Sequence, residues 1–417
     1  MMQSVMRRRF FGVWLSLFCL TCSLLLPLSR PGLTQTELPT AQELRGVWLT
    51  TVDSDVLFSH DRLKPALQTL ADLNFNTVYP AVWNWGYTLY PSQTAAAAIG
   101  HATDPRVPQL KDWDALADVV ELGHQQGLTV VPWFEFGFMT TADSELVTQH
   151  PDWISDRQDG SQIWQDGIYQ RRWLNPFKPE VQQFIQSLIL EIVSRYDVDG
   201  IQFDDHFGLP AEFGYDDFTQ RLYQQEHQGR LPSSDPGNAE WVRWRAAKIT
   251  AFMKQVFHAI KAQKPNVVIA LSPNNYPFSY RHYLQDWKTW ERSGLIEELT
   301  LQVYRDNLSD FVADLARPEV LAAKQHIPVS IGILTGLKDL PVSIDQVEAQ
   351  VASVRDRQFA GISFFFYESL WNLSGRGDYS LNSLTFVGNP SRHTVFRRLF
   401  SAPADRPNLL DNWMPPR

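Results

Sequence analysis

From residue 44 the chain alternates between short apolar runs, rich in β-branched and aromatic residues, and longer segments of helical period. The short runs fall at 44–52, 75–83, 128–136, 198–205, 266–273, 296–304, 327–334 and 361–367. The longer ones fall at 62–73, 113–126, 179–196, 240–262, 280–293, 309–324, 344–358 and 391–400. Apolar strands separated by helices predict a parallel sheet covered on both faces. Eight such units predict an α/β fold made of a single (β/α)8 TIM barrel. An open doubly wound sheet would want a glycine-rich turn after its first strand, and 50–59 contains no glycine.

The links between the runs are uneven. Helix-to-strand links are mostly short, whereas the strand-to-helix links 84–112, 137–178, 206–239 and 368–390 are long. In a barrel those long loops gather at the C-terminal mouth, where barrel enzymes carry their sites.

Side-chain alternation then places candidate chemistry. In the fourth run Ile201 and Phe203 alternate with Gln202 and Asp204. Apolar residues suit the helix-covered face, so Gln202 and Asp204 are expected inside, with Asp204 at the rim. Asp205 and His206 open the following loop. The same parity brings Trp133 and Glu135 to the mouth from the third run, and Tyr79 and Trp83 from the second. Ser272 and Asn274 come from the fifth, and Thr300, Gln302 and Tyr304 from the sixth. Tyr367 and Glu368 close the eighth. Asp204, Asp205, Glu135 and Glu368 are therefore candidate catalytic carboxylates inside an aromatic wall. That combination suits sugar chemistry, because rings stack on pyranose C–H faces and paired carboxylates supply acid and base or nucleophile. Trp83, Trp85 and Trp133 are candidate stacking residues, although Trp48, Trp83 and Trp133 also read as core. A lone acid at a strand end also reads as a helix cap or loop anchor.

Composition narrows the classes. Tryptophan is abundant, at 15 residues. Net charge is −9, and the only basic residues before position 37 (Arg7, Arg8, Arg9 and Arg30) stand in a stretch without acids. The remainder is more acidic still, which excludes nucleic acid as a partner through the net field. Both cysteines, Cys19 and Cys22, precede position 37, so the rest of the chain has no thiol for disulfides, metal or nucleophilic catalysis. Asp204-Asp205-His206 could ligate a metal. Barrel metallohydrolases, however, usually draw histidines from several strand ends, and the first run ends Leu49-Thr50-Thr51-Val52-Asp53. No metal or cofactor is expected.

Arg7-Arg8-Arg9, an apolar run over 10–28 and a polar stretch over 29–36 have the order of an export signal. The run is long and lacks a clear cleavage site, so an uncleaved anchor is the alternative. The expected organisation is a signal or anchor at 1–36, a barrel at 37–401 and a Pro-rich surface tail at 402–417. The expected place is the periplasm or cell envelope, with membrane contact only through an uncleaved N-terminal segment.

Several motifs together resemble a known family. They are Glu43-Leu44-Arg45-Gly46-Val47-Trp48, Phe75-Asn76-Thr77-Val78, Leu174-Asn175-Pro176, and the run from Arg195-Tyr196-Asp197-Val198-Asp199-Gly200 through Ile201-Gln202-Phe203-Asp204-Asp205. This set, spread over about 42–375, resembles the glycosyl-hydrolase-like family 10 proteins. The resemblance implies a (β/α)8 barrel in the bacterial envelope with glycosidase activity, in characterised relatives on peptidoglycan glycan strands. It places the family's paired aspartates on Asp204 and Asp205, and its Arg, Trp and Asn on Arg45, Trp48 and Asn175. This chain departs from the family at His206, where Tyr is common, and at Glu135, where Asn is common. The fourth run loosely resembles a chitinase pattern too, but His206 stands at that pattern's glutamate.

The expected function is hydrolysis of an envelope or extracellular polysaccharide, with the glycan strands of peptidoglycan first. Arg45, Trp48, Trp83, Trp85, Trp133, Asn175, His206, Asn274, Gln302, Tyr304 and Tyr367 are the expected substrate contacts. The alternatives are a non-catalytic glycan-binding barrel and a metal-dependent carbohydrate deacetylase or esterase.

Overall fold

A computed structural model describes residues 41–338, 340–371, 390–410 and 414. The described residues form one compact unit. The expected signal or anchor at 1–36 lies outside the described residues. Among the described residues, no helix is long and apolar enough to cross a membrane.

The fold is α/β, built on a parallel sheet of nine strands. They are β1 (Leu44–Leu49), β2 (Thr77–Pro80), β3 (Thr129–Val130), β4 (Trp133–Phe134), β5 (Gly200–Asp204), β6 (Val268–Ser272), β7 (Glu298–Gln302), β8 (Val329–Leu334) and β9 (Gly361–Phe365). Their order is β3-β2-β1-β9-β8-β7-β6-β5-β4. The expected third strand is split because Pro132 has no N–H to give the ladder. Its two halves sit at the two ends of the order. Thr129 and Val130 pair with Thr77 and Val78, while Trp133 and Phe134 pair with Gln202 and Phe203. The sheet also curls. Trp48 on β1 donates Nε1 to Gln202 Oε1 on β5 at 2.7 Å, although four strands separate them in the order.

Helices α1 (His60–Asp72), α2 (Ala115–Gln125), α3 (Pro179–Arg195) and α4 (Ala239–Gln263) follow the expected amphipathic segments. Two expected helices are broken. The segment expected at 280–293 is α5 (Tyr276–Tyr283) and α6 (Trp287–Arg292), separated at Leu284, which is left-handed with φ 54. Asp286 restarts the helix by accepting from Thr289 N at 3.2 Å. The segment expected at 309–324 breaks before Pro318, because proline disfavours helical geometry in the residue preceding it. The long loops carry structure of their own. The 137–178 loop forms a small antiparallel sheet of Met139–Thr141, Trp164–Asp166 and Tyr169–Trp173.

The chain end is tied to the start of β1 over its first part. Glu43 N donates to Asp405 O at 3.0 Å, and Asp405 N to Ala41 O at 2.9 Å. Arg406 is half-buried at the N-terminal ends of the strands, its side chain 9% exposed. Its Nη2 donates to Glu298 Oε2 at 2.5 Å and its Nε to Thr77 Oγ1 at 3.0 Å. A buried carboxylate needs this partner, because an uncompensated charge in a low dielectric is costly. Arg406→Ala should therefore cost about 3 kcal/mol of stability, read as a lower urea midpoint. The loss should shrink at acid pH, since burial already pushes the Glu298 carboxyl upward and protonation removes the orphaned charge.

Candidate active site

The site is built at the C-terminal ends of the strands, around Asp204. Period-two alternation places its side chain inward with Gln202, as expected, and both residues are buried. Asp204 accepts three N–H groups. Oδ2 takes Trp133 Nε1 at 2.8 Å, and Oδ1 takes Gln302 Nε2 at 3.0 Å and the backbone N of Asp205 at 2.5 Å. Its backbone carbonyl holds Gln285 Nε2 at 2.8 Å. Asp205, also buried, accepts from Asn274 Nδ2 at 2.5 Å. Burial first, then the neighbouring Asp205 charge, pushes the Asp204 carboxyl well above the ordinary aspartate range.

Glu135 is the third carboxylate. It is 6% exposed and accepts from Thr50 Oγ1 at 3.1 Å and from Asn84 Nδ2. Burial pushes its carboxyl up to about 8, against the Thr50 hydrogen bond and the Arg171 charge and with help from Asp205. His206 joins the Glu135 backbone to the Asp205 side chain. Its Nδ1 lies 2.8 Å from the Glu135 carbonyl, which makes it a donor there, and 3.6 Å from Asp205 Oδ1. Gly137 lets the loops come this close. It has φ 48, and a Cβ on it would stand 2.4 Å from His206 O.

The structure thus brings together Asp204, Asp205, Glu135, His206, Trp133, Asn274 and Gln302. Tyr304 is stacked on Phe365 at 5.5 Å and feels all three carboxylates. Glu368 follows a different network. Ser54 Oγ donates to its Oε1 at 2.5 Å, and burial pushes its carboxyl up to about 7.

Other expected contacts do not reach this group. Arg45 stands near the N-terminal end of β1, away from the mouth. It is tied to Glu43 at 2.8 Å and to Ala402 O at 2.6 Å, over the Phe400 ring. Asn175 is fully buried and caps a loop, donating to Asp216 Oδ2 and Thr219 Oγ1 at 2.8 Å each and accepting from Phe177 N at 2.9 Å. Trp48 and Trp83 are fully buried, Trp83 donating to Gly137 O and packing on Phe184, so neither offers a face to a sugar. Tyr367 is buried against Trp371. Trp133 is buried too and serves as a donor to Asp204. Trp85 is half-buried beneath the Arg171 guanidinium, 4.3 Å from its ring.

Sequence reasoning missed Thr50, Asn84, Arg171 and Tyr283. Thr50 shares the parity of Trp48, so alternation could have found it. Arg171 could not be found that way, because it comes from the small sheet in the 137–178 loop and sits among Trp85, Tyr169 and Phe136.

Donor atoms of Asp204, Asp205 and His206 lie within 4.8 Å of one another, close enough to hold a cation. Their facing atoms already have protein partners, namely Trp133, Gln302, Asn274 and the Glu135 carbonyl.

The family described as glycosyl hydrolase-like 10 matches residues 43–353. Glycosyl hydrolase DigH of Escherichia coli (strain K12) is 26% identical over 341 residues, 70% of this chain and 71% of that protein. Glycosyl hydrolase YngK of Bacillus subtilis (strain 168) is 26% identical over 217 residues, 46% of this chain and 39% of that protein. Among solved structures, the PgaB (BpsB) glycoside hydrolase domain from Bordetella bronchiseptica aligns with a TM-score of 0.56 at 15% identity, over 78% of this chain and 93% of that one. The catalytic domain of beta-amylase from Paenibacillus polymyxa aligns with a TM-score of 0.55 at 11% identity, over 81% and 95%. At these identities the two structures speak for the fold alone.

Proposed function

The chain belongs to the glycosyl hydrolase-like 10 family, and from that premise we propose that it is a glycoside hydrolase working by carboxylate acid–base chemistry on a closed (β/α)8 barrel. Closure is supported by the 129–134 segment, which pairs with both ends of the sheet order. One observation carries the chemistry. Three buried carboxylates, Asp204, Asp205 and Glu135, converge at the strand ends, and burial pushes Asp204 and Glu135 upward.

Glu135, held protonated by burial up to about pH 8, is suited to give its proton to the leaving glycosidic oxygen. Burial and the neighbouring Asp205 charge push Asp204 upward, so the pair shares one negative charge, fixed by Trp133, Gln302 and Asn274. That charge stabilises the oxocarbenium-like transition state and serves as base or nucleophile. We assign the partner role to Glu135 rather than Glu368 because the Glu135 carboxyl feels the Asp205 charge, whereas Glu368 is bound to Ser54.

The proposed substrate is a bacterial envelope polysaccharide, first of all peptidoglycan glycan strands, met after export through residues 1–36. The test is to incubate the full-chain protein with peptide-free peptidoglycan strands and follow products by mass spectrometry. Released oligosaccharides that persist with a chelator present support the reading. Binding without products favours a glycan-binding barrel. Chelator-sensitive release favours the metal-dependent reading that the Asp204, Asp205 and His206 donor set suggests.

A further inference from the structure

A groove of about 770 Å³ lies between the 207–239 loop, the start of α4 and α5, and reaches toward the carboxylate cluster at Tyr283. Its walls include Trp164, Tyr280 and Tyr283, half-buried, and Phe278, exposed. The groove is joined to the reactive centre through aromatic contacts. The Trp164 ring lies 6.5 Å from Tyr283, and Tyr283 lies 6.4 Å from His206. A chain of sugars leaving the carboxylates on this side would follow a path of rings that can stack on pyranose faces.

Charge makes the groove selective. The chain is acidic overall, at −9, yet the groove carries Arg243 and Arg281, both exposed. Among the described residues neither has a carboxylate partner. The one acid in the lining, Glu212, is already neutralised by Arg157. Two free guanidinium groups in an aromatic trough can pair with carboxylates at intervals along a polymer.

The geometry points to a subsite in this groove for an extended acidic glycan, in which Arg243 and Arg281 recognise carboxylate-bearing sugars flanking the bond to be cut. The inference rests on the hydrolase reading for its orientation, but its test reads binding separately from turnover. The full-chain protein would be titrated calorimetrically with peptide-free peptidoglycan strands, whose lactyl carboxylates are free. It would also be titrated with the same strands after reduction of those carboxyls to alcohols. An exposed ion pair is worth a few-fold, so two predict roughly tenfold tighter binding of the acidic strands, fading as salt rises. The double variant Arg243→Ala, Arg281→Ala should bind both strands alike. Its surface positions leave the core untouched, which a thermal melt would verify. Equal binding of both strands by the wild type, or by neither form binding at all, overturns the inference. So does a preference that survives in the double variant. A preference without any cleavage upholds the groove and overturns the hydrolase reading instead.

Discussion

Asp204→Asn should leave a folded protein that releases oligosaccharides about 10²–10⁴-fold more slowly than the wild type, the usual cost of one lost acid–base group. The structure explains why the fold should tolerate the change. Asn has nearly the same shape, and its oxygen, placed at Oδ1, can still accept from both Gln302 and Asp205 N. Trp133 then faces the amide NH2 and loses its acceptor, so a loss of about 1–2 kcal/mol is expected. The proton and charge that Asp204 and Asp205 share change more, because an amide can neither give up that proton nor take the charge. Mass spectrometry of digests, with a thermal melt on the same sample, separates the two effects. Retention of more than about a tenth of the wild-type rate, against that usual cost, would sink the assignment.

Glu135→Gln should divide activity from stability even more sharply. As the proton donor, its loss should again slow hydrolysis by about 10²–10⁴-fold, most severely for glycans with poor leaving groups. Stability should move the other way. Glu135 rises from an ordinary 4.5 to about 8 because burial penalises its anion. The native state therefore holds this proton more tightly than the unfolded chain. The stability it contributes is complete below pH 4.5 and is lost as pH rises to about 8. At about 1.4 kcal/mol per pH unit, that window spans on the order of 4 kcal/mol. A glutamine has no proton to lose, so the variant should gain stability relative to wild type across this range and match it near pH 4. Urea unfolding at pH 4, 6 and 9 reads the trend directly. In the wild type the rate should fall above about pH 8 as Glu135 ionises. A flat alkaline limb would remove Glu135 from the acid role.

The sheet and the central aspartate were legible in the chain because both depend on local periodicity. Alternation in 198–205 put Ile201 and Phe203 against the helices and Gln202 and Asp204 inside. The same rule brought Trp133 and Gln302 to the Asp204 side, where each donates to it. Helix ends were less legible where a single residue decides. Leu284 adopts a left-handed turn and Pro318 restarts a helix, and neither event shows in an amphipathic period.

Motif residues were informative in a different sense. Arg45 and Asn175 carry a family resemblance, yet Arg45 ties β1 to the chain end near Ala402 and Asn175 holds a loop through Asp216 and Thr219. They are buried structural polar groups, and a sequence cannot separate such groups from substrate contacts. Both kinds are polar residues in apolar surroundings.

By itself the sequence determined the β/α rhythm, the inward parity of Asp204 and the aromatic character of the loops, all set by contacts within a few residues. Only the tertiary structure decided which carboxylate partners Asp204, that Trp48 and Trp83 are core, and that Arg171 sits beside Glu135. Those outcomes depend on where long loops pack after the sheet has curled. Residues 137 and 206 meet there because a glycine permits it, not because their spacing along the chain requires it.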